Sequence, residues 1–287
     1  MKIKSYAKIN LTLDVLGVRE DGYHQLSMIM HSVGLYDEIT LLPNSDDGIT
    51  LTANLPFLPT DRKNHAYKAA ELFYQETGLS QCGISIHINK KIPVCAGLAG
   101  GSSNAAAVLR GMNQLYHTNL STEQLCQIGL KIGADVPYCI TGGTALAGGI
   151  GEELTPLPPL PKMPILLAKP ACGLSTPAVF QQWDRLEQPV HPDTKAMISA
   201  LEDGRKQQIG RLLCNSLEQP AFAYLQERGY RNQMPMLKEA MLRYGAYGSL
   251  MSGSGTTVYG LFPSRKQAYE AMKKLRKKVK FIVLTTT

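Results

Sequence analysis

Twelve residues, Pro93-Val-Cys-Ala-Gly-Leu-Ala-Gly-Gly-Ser-Ser-Asn104, constrain the fold of this chain more than any other stretch. Seven of them are Gly, Ala or Ser, and they join two segments of different period. Before them, Ile84-Ser85-Ile86-His87-Ile88 alternates with the period of a half-buried strand; after them, Ala105, Val108, Leu109, Met112, Leu115 and Tyr116 form a helical stripe. Small residues let a backbone approach a ligand closely and adopt unusual dihedrals, and the first turn of a helix offers unpaired N–H groups at its positive dipole end. The run therefore reads either as an anion site suited to phosphate oxygens or as a tight strand-to-helix turn capped by Ser102 or Ser103. It is not a P-loop, because the Gly-Lys pair that motif requires occurs nowhere in the chain, and there is no G-x-G-x-x-G for a dinucleotide.

Around this run the first half reads mostly as strands: Ile3 to Tyr6, Ile9 to Leu16, Gln25 to Val33, Glu38 to Leu42, Ile49 to Ala53 and Gly83 to Ile88. A helix carrying Ala66, Ala69, Ala70 and Phe73 is expected to stop at Gly78, and Ser121 with Gln124 forms a capping box for a third helix closed by Gly133. A glycine-rich stretch follows. The segment Leu154 to Pro164 holds five prolines in eleven residues, which is incompatible with regular structure, so the division falls there: residues 1–155 and residues 160–287. The second part opens with a strand at Ile165 to Ala168 and has a proline-led helix from Pro235 to Tyr244. Strands Gly248 to Met251 and Thr257 to Phe262 come next, then a helix capped by Ser264 and Gln267, and a last strand Phe281 to Leu284.

Composition narrows the function classes. At 287 residues the chain buries a sizeable core without disulfides, and 44% hydrophobic with 18% charged residues is that of a soluble globular protein. The six cysteines include no C-x-x-C pair, which argues against a zinc site or a dithiol, and leaves buried free thiols. No signal-peptide core and no run of 18 apolar residues occurs, so a reducing cytoplasm and no membrane are expected. Most of the net charge of +7 is concentrated in Lys273, Lys274, Arg276, Lys277, Lys278 and Lys280; without interleaved stacking aromatics this reads as a solvated helix face, not a nucleic-acid site.

With two further motifs the glycine-rich run resembles the phosphate-binding motif of the GHMP kinases, the superfamily of galactokinase, homoserine kinase, mevalonate kinase and phosphomevalonate kinase. Ala7-Lys8-Ile9-Asn10-Leu11 is similar to that family's first motif and Leu250-Met251-Ser252-Gly253-Ser254-Gly255-Thr256 to its third. Within the family, Arg19-Glu-Asp-Gly-Tyr-His-Gln-Leu26, Gly133-Ala-Asp-Val-Pro137, Ser175-Thr-Pro-Ala-Val-Phe180 and Asn215-Ser-Leu-Glu218 are similar to members acting on a cytidine-diphosphate-linked sugar alcohol. The resemblance implies an α+β, two-domain GHMP kinase fold. Its N-terminal domain is ribosomal-S5-like and mixed α/β, its C-terminal domain is ferredoxin-like, and the active site lies in the cleft between them. It also implies transfer of the ATP γ-phosphate to the 2-hydroxyl of diphosphocytidyl methylerythritol, in the non-mevalonate route to isoprenoid precursors. A homoserine or mevalonate kinase, or a non-catalytic RNA binder of the same fold, are the competing readings.

Carried over residue by residue, the resemblance makes Asp135 the catalytic carboxylate that accepts the hydroxyl proton. Lys8 is its partner, which offsets charge on the transferring phosphoryl group. His24 is assigned to the cytosine edge, Tyr23 and Phe180 to stacking on its faces, and Asn10 and Thr176 to further substrate contacts. Pro93, Val94, Gly97, Leu98, Ala99, Gly100, Gly101, Ser102 and Ser103 would wrap the ATP phosphates, with Asn64, Lys90 and Val94 near the adenine. Mg²⁺ is expected as the partner of those phosphates, with no protein ligand. From the residues alone, Asp135 also reads as a turn residue, Lys8 as an exposed strand lysine, Tyr23 as a turn aromatic, Phe180 as core, and Asn10 as bonded to backbone. The run departs from the family's usual Gly-Leu-Gly-Gly-Gly-Ser-Ser-Asp at Ala99 and Asn104, and a positive φ at position 99 would disfavour alanine.

Overall fold

The computed structural model describes residues 1–44, 48–79, 83–230 and 233–287. Its contacts divide the chain into two compact units that are not consecutive stretches. One comprises residues 1–7, 35–94 and 99–142, the other residues 8–34, 95–98 and 143–287. The division expected at residues 155–160 falls inside the second.

In the first unit, β1 (Lys2–Val18) contributes its first residues and β2 (His24–Asn44) its last. The two pairs of short strands expected here are thus two long ones, because hydrogen bonding carries the chain through the polar residues that interrupt the apolar pattern. Beside them lie β3 (Ile49–Ala53), α1 (His65–Thr77), β4 (Gly83–Asn89), α2 (Gly100–Leu115), α3 (Thr122–Leu130) and α4 (Asp135–Thr141). The strand order is β3-β4-β2-β1, with β4 antiparallel to β2 from Glu38 opposite Asn89 onward and parallel to β3. One face carries Ile39, Leu41, Ile84, Ile86 and Ile88, which pack with Ala69, Phe73, Ala106, Val108 and Met112 of α1 and α2 into one core. The alanine stripes allow the close approach of these helices.

Caps end the helices as the residues demand. Gly78 takes φ 64° after α1, and Ser121 and Gln124 exchange both capping bonds. Three expectations are corrected. α3 stops at Leu130, with the Gly133 N–H bonded to the Gly129 carbonyl. α2 starts five residues before Ala105, since glycine and serine suffice for a first helical turn. The glycine-rich stretch beyond α3 holds α4, which packs so closely on α3 that a Cβ at Gly129 would lie 2.7 Å from the Val136 Cγ1.

The second unit contains the rest of β1 and β2, then β5 (Thr144–Gly148), β6 (Glu153–Pro156), β7 (Pro164–Lys169), α5 (Thr176–Trp183), α6 (Thr194–Glu202) and α7 (Lys206–Arg211). It continues with β8 (Cys214–Asn215), α8 (Glu218–Glu227), α9 (Gln233–Arg243), β9 (Gly248–Met251), β10 (Val258–Leu261), α10 (Arg265–Leu275) and β11 (Phe281–Thr286). The proline-rich segment is therefore not wholly irregular. Pro156 ends β6, which among the described residues pairs with β5 alone, and Pro164 begins β7, positions where a missing N–H is tolerated. β7, β9, β10 and β11 form an antiparallel sheet in the order β11-β7-β10-β9, the 4-1-3-2 order of a ferredoxin-like β-α-β-β-α-β unit.

Of the cysteines expected to be buried, Cys172 alone among the described ones is; Cys126, Cys139 and Cys214 are half-buried and Cys95 is exposed. Cys82 lies outside the described residues. The basic cluster is solvent-facing as expected, on α10 and the 3₁₀ turn Arg276–Lys278. Among the described residues no helix is long and apolar enough to cross a membrane.

One buried group ties stability to pH. His31 of β2 is 6% exposed, with Nδ1 2.8 Å from the Thr144 hydroxyl, and burial pushes its pKa down from 6.5 to about 4. The folded state thus binds this proton less readily than the unfolded chain, so the contribution is intact above pH 6.5 and lost as pH falls toward 4. The full loss is roughly 3 kcal/mol. Urea midpoints at pH 7 and pH 5 should show a steeper acid loss for the native chain than for His31→Gln; equal slopes would refute the assignment.

Candidate active site

In the first unit, β4 ends at Asn89, residues 90–92 turn, and the run resumes at Ala99 to enter α2. Ala99 takes φ 54°, the left-handed conformation foreshadowed by its departure from glycine, at a cost of about 1–2 kcal/mol. It provides no side-chain cap, so the N–H groups of Gly100, Gly101 and Ser102 keep the donor capacity of an uncapped helix start. Gly100 lies directly over a lysine: a Cβ there would stand 2.7 Å from the Lys90 Nζ and would displace that ammonium. Lys90 is 8% exposed and paired with Asp37; burial lowers its pKa and the Asp37 charge opposes that shift. Ser103 is turned inward, its hydroxyl donating to the Tyr6 carbonyl at 2.6 Å, while Ser102 is half-buried and Val94 exposed. Asn64 is the N-cap of α1, accepting from the Ala66 N–H and donating to the Pro59 carbonyl. Asp135 is the first residue of α4 and is half-buried, held by the buried Val136, Pro137 and Tyr138 that follow it.

The second unit gathers the first and third motifs. Lys8 is 4% exposed, not an open strand lysine, and its Nζ donates to the Asn10 Oδ1 at 2.8 Å. That same oxygen accepts the Gly253 N–H at 3.0 Å, so one buried asparagine aligns the lysine and the third motif. Residues 95–98 lie against that motif backbone to backbone. Gly97 has φ 72°, and a Cβ on it would fall 2.0 Å from the Ser252 carbonyl oxygen. The Ser252 hydroxyl donates to the Gly97 carbonyl, the Thr257 N–H to Ala96, and the Lys8 N–H to the Leu98 carbonyl.

Two residues absent from the sequence-derived site hold the third motif in place. The Asn215 amide donates to the Met251 and Gly253 carbonyls, both at 2.9 Å, and Glu218 accepts the Met251 N–H at 2.7 Å while paired with Lys238. Burial pushes the Glu218 carboxyl up, and Lys238 opposes it. Both belong to the segment Asn215-Ser-Leu-Glu218, whose spacing around the turn into α8 is the sequence signal for this role.

Of the residues read as base-binding, His24 and Phe180 come together: their rings stack at 4.5 Å with a 29° tilt, and Trp183 meets the imidazole edge-on at 5.8 Å. The His24 Nε2 lies 2.7 Å from the Asp184 carboxylate, a partner the sequence reading missed. Tyr23 does not join them; it is 63% exposed, in a turn held by the Asp21 carboxylate. Thr176, at the start of α5, instead meets the Ser254 hydroxyl of the third motif at 2.7 Å. Among the described residues no group of three His, Cys, Asp or Glu is disposed to hold a metal ion.

Residues 64–143 match the GHMP kinases N terminal domain and residues 197–280 the GHMP kinases C terminal domain. The 4-diphosphocytidyl-2-C-methyl-D-erythritol kinase of Caldicellulosiruptor bescii is 47% identical, covering 100% of this chain and 98% of its own. That of Clostridium tetani is 43% identical and matches over 100% of both. A crystal structure of 4-(cytidine 5'-diphospho)-2C-methyl-D-erythritol kinase superposes with a TM-score of 0.83 at 33% identity, covering 100% of this chain and 98% of that one. L. major mevalonate kinase, in complex with R-mevalonate, shares the fold at a TM-score of 0.75 and 19% identity, covering 100% of this chain and 95% of that one.

Proposed function

Because the chain belongs to the GHMP kinases and, within them, to the 4-diphosphocytidyl-2-C-methyl-D-erythritol kinases, we propose that it transfers the γ-phosphate of ATP to the 2-hydroxyl of that diphosphocytidyl alcohol. The observation that carries this reading is full-length identity of 47% to a kinase of that name, which leaves no motif unmatched for want of coverage. The uncapped start of α2 behind a run of small residues supports phosphate binding by residues 93–103. Lys8, oriented by Asn10, supplies positive charge for the transferring phosphoryl group. Asp135 accepts the hydroxyl proton as the oxygen closes on phosphorus. His24 and Phe180 receive the cytosine, with Tyr23 free to swing onto its other face. Mg²⁺, accompanying ATP, would be held by phosphate oxygens and water and would neutralise phosphate charge. The reaction belongs in the cytoplasm, where ATP is supplied.

An ADP-release assay with diphosphocytidyl methylerythritol, mevalonate, homoserine and galactose tests the proposal. Turnover with the first alone is expected. Comparable turnover with mevalonate or homoserine would reassign the substrate, and absence of turnover with all four, beside salt-sensitive RNA binding, would replace the enzyme by a binder.

A further inference from the structure

Between β4 and α2 the chain leaves the first unit's sheet at residue 90 and returns to it as a helix at residue 100, and both ends of that excursion are held by one side chain. Asp37, in β2, is 0% exposed. Its Oδ1 accepts the N–H groups of Lys91 at 2.6 Å and Ile92 at 2.8 Å, the two residues before Pro93. Its Oδ2 accepts from the Lys90 ammonium and, at 2.8 Å, from the Asn104 amide, the residue just after Ser103. The Asn104 amide also donates to the Ser5 hydroxyl at 2.9 Å. Because Ser103 spends its proton on the Tyr6 carbonyl, Ser5 donates to the Ser103 oxygen, 2.7 Å away. The order is therefore Asn104 to Ser5 to Ser103 to Tyr6, and it starts at the carboxylate.

A carboxylate that accepts four bonds has no lone pair left to take a substrate proton, and it has no exposed surface. Its chemistry is to fix geometry. We propose that Asp37 is a positioning residue for ATP: by clamping Lys91 and Ile92 at one end and Asn104 at the other, it fixes the span of the loop between them. The first N–H groups of α2 are thereby aimed before the nucleotide arrives. Charge-assisted bonds suit this task, being shorter and stronger than neutral ones. The Lys90 ammonium, held directly beneath Gly100, keeps positive charge behind the same turn. The inference rests on the reading of residues 93–103 as the phosphate loop.

Asp37→Asn retains the size of the side chain but turns an N–H₂ group toward donors. The KM for ATP is expected to rise about tenfold or more, with the KM for diphosphocytidyl methylerythritol within about twofold of the native value. Binding of ATP and of adenosine, measured by calorimetry, separates positioning from general damage. Positioning lowers the ATP-over-adenosine ratio, whereas a merely structural defect weakens both alike and overturns the proposal. If Asp37→Asn does not fold, Asn104→Ala removes one of the four donors and is expected to raise the KM for ATP about threefold or more. A KM for ATP within twofold of native in a folded variant overturns the assignment. A native enzyme that binds ATP and adenosine equally would instead defeat the phosphate-loop reading on which it stands.

Discussion

Asp135→Asn is expected to lower kcat by about 10²–10⁴-fold, the range of a positioned general base, while the KM for ATP stays within about twofold. The substitution is nearly isosteric, and the backbone that carries it is fixed by its buried successors Val136, Pro137 and Tyr138, so the native Tm should be retained. Asparagine offers the hydroxyl an acceptor without the capacity to take its proton, so orientation survives and deprotonation does not. Steady-state ADP release with both substrates varied gives the needed kcat and KM values. Native turnover in this variant would remove Asp135 from the proton-accepting role and leave the reaction to charge stabilisation by Lys8 and the loop.

The second large effect is expected at Gly97. An alanine there must place its Cβ 2.0 Å from one backbone oxygen and 3.0 Å from another, those of Ser252 and Gly255, at φ 72°. No side-chain rotation relieves contact with backbone, so two glycine-rich segments have to part. Overpacking and left-handed strain together amount to roughly 2–5 kcal/mol. Gly78→Ala is the control. It has φ 64° and open space around its Cβ position, and should lose only the strain, about 1–2 kcal/mol. Denaturant midpoints separate the two, and similar losses would mean that the close approach at Gly97 carries no weight.

Local chemistry made much of this fold legible. The alternation in Ile84 to Ile88, the Gly78 stop and the Ser121–Gln124 box each involve residues within one element, and each appears where expected. The proline-rich segment misled because proline's restriction depends on which strand edge it occupies, a tertiary property. Asp37 was invisible for the same reason: in Leu35-Tyr36-Asp37-Glu38-Ile39 nothing local announces burial. Register could have found it, since Glu38 opposite Asn89 puts the next pair at Asp37 and Lys90. The site was legible as motifs, but the residues that orient those motifs, Asp37, Asn215, Glu218 and Asp184, bond to segments far away in sequence.

That the second unit takes β1 from the front of the chain has a consequence for biosynthesis. Thr12 pairs with Cys214, about 200 residues later. A ribosome adding about 5–20 residues per second keeps that strand, flanked early by β2, waiting for about 10–40 s before its second neighbour β8 exists. Leu13, buried in the finished protein and paired there with Asn215, spends this interval without that pairing. Nascent chains of this enzyme are therefore expected to lean on holding chaperones until translation nears its end.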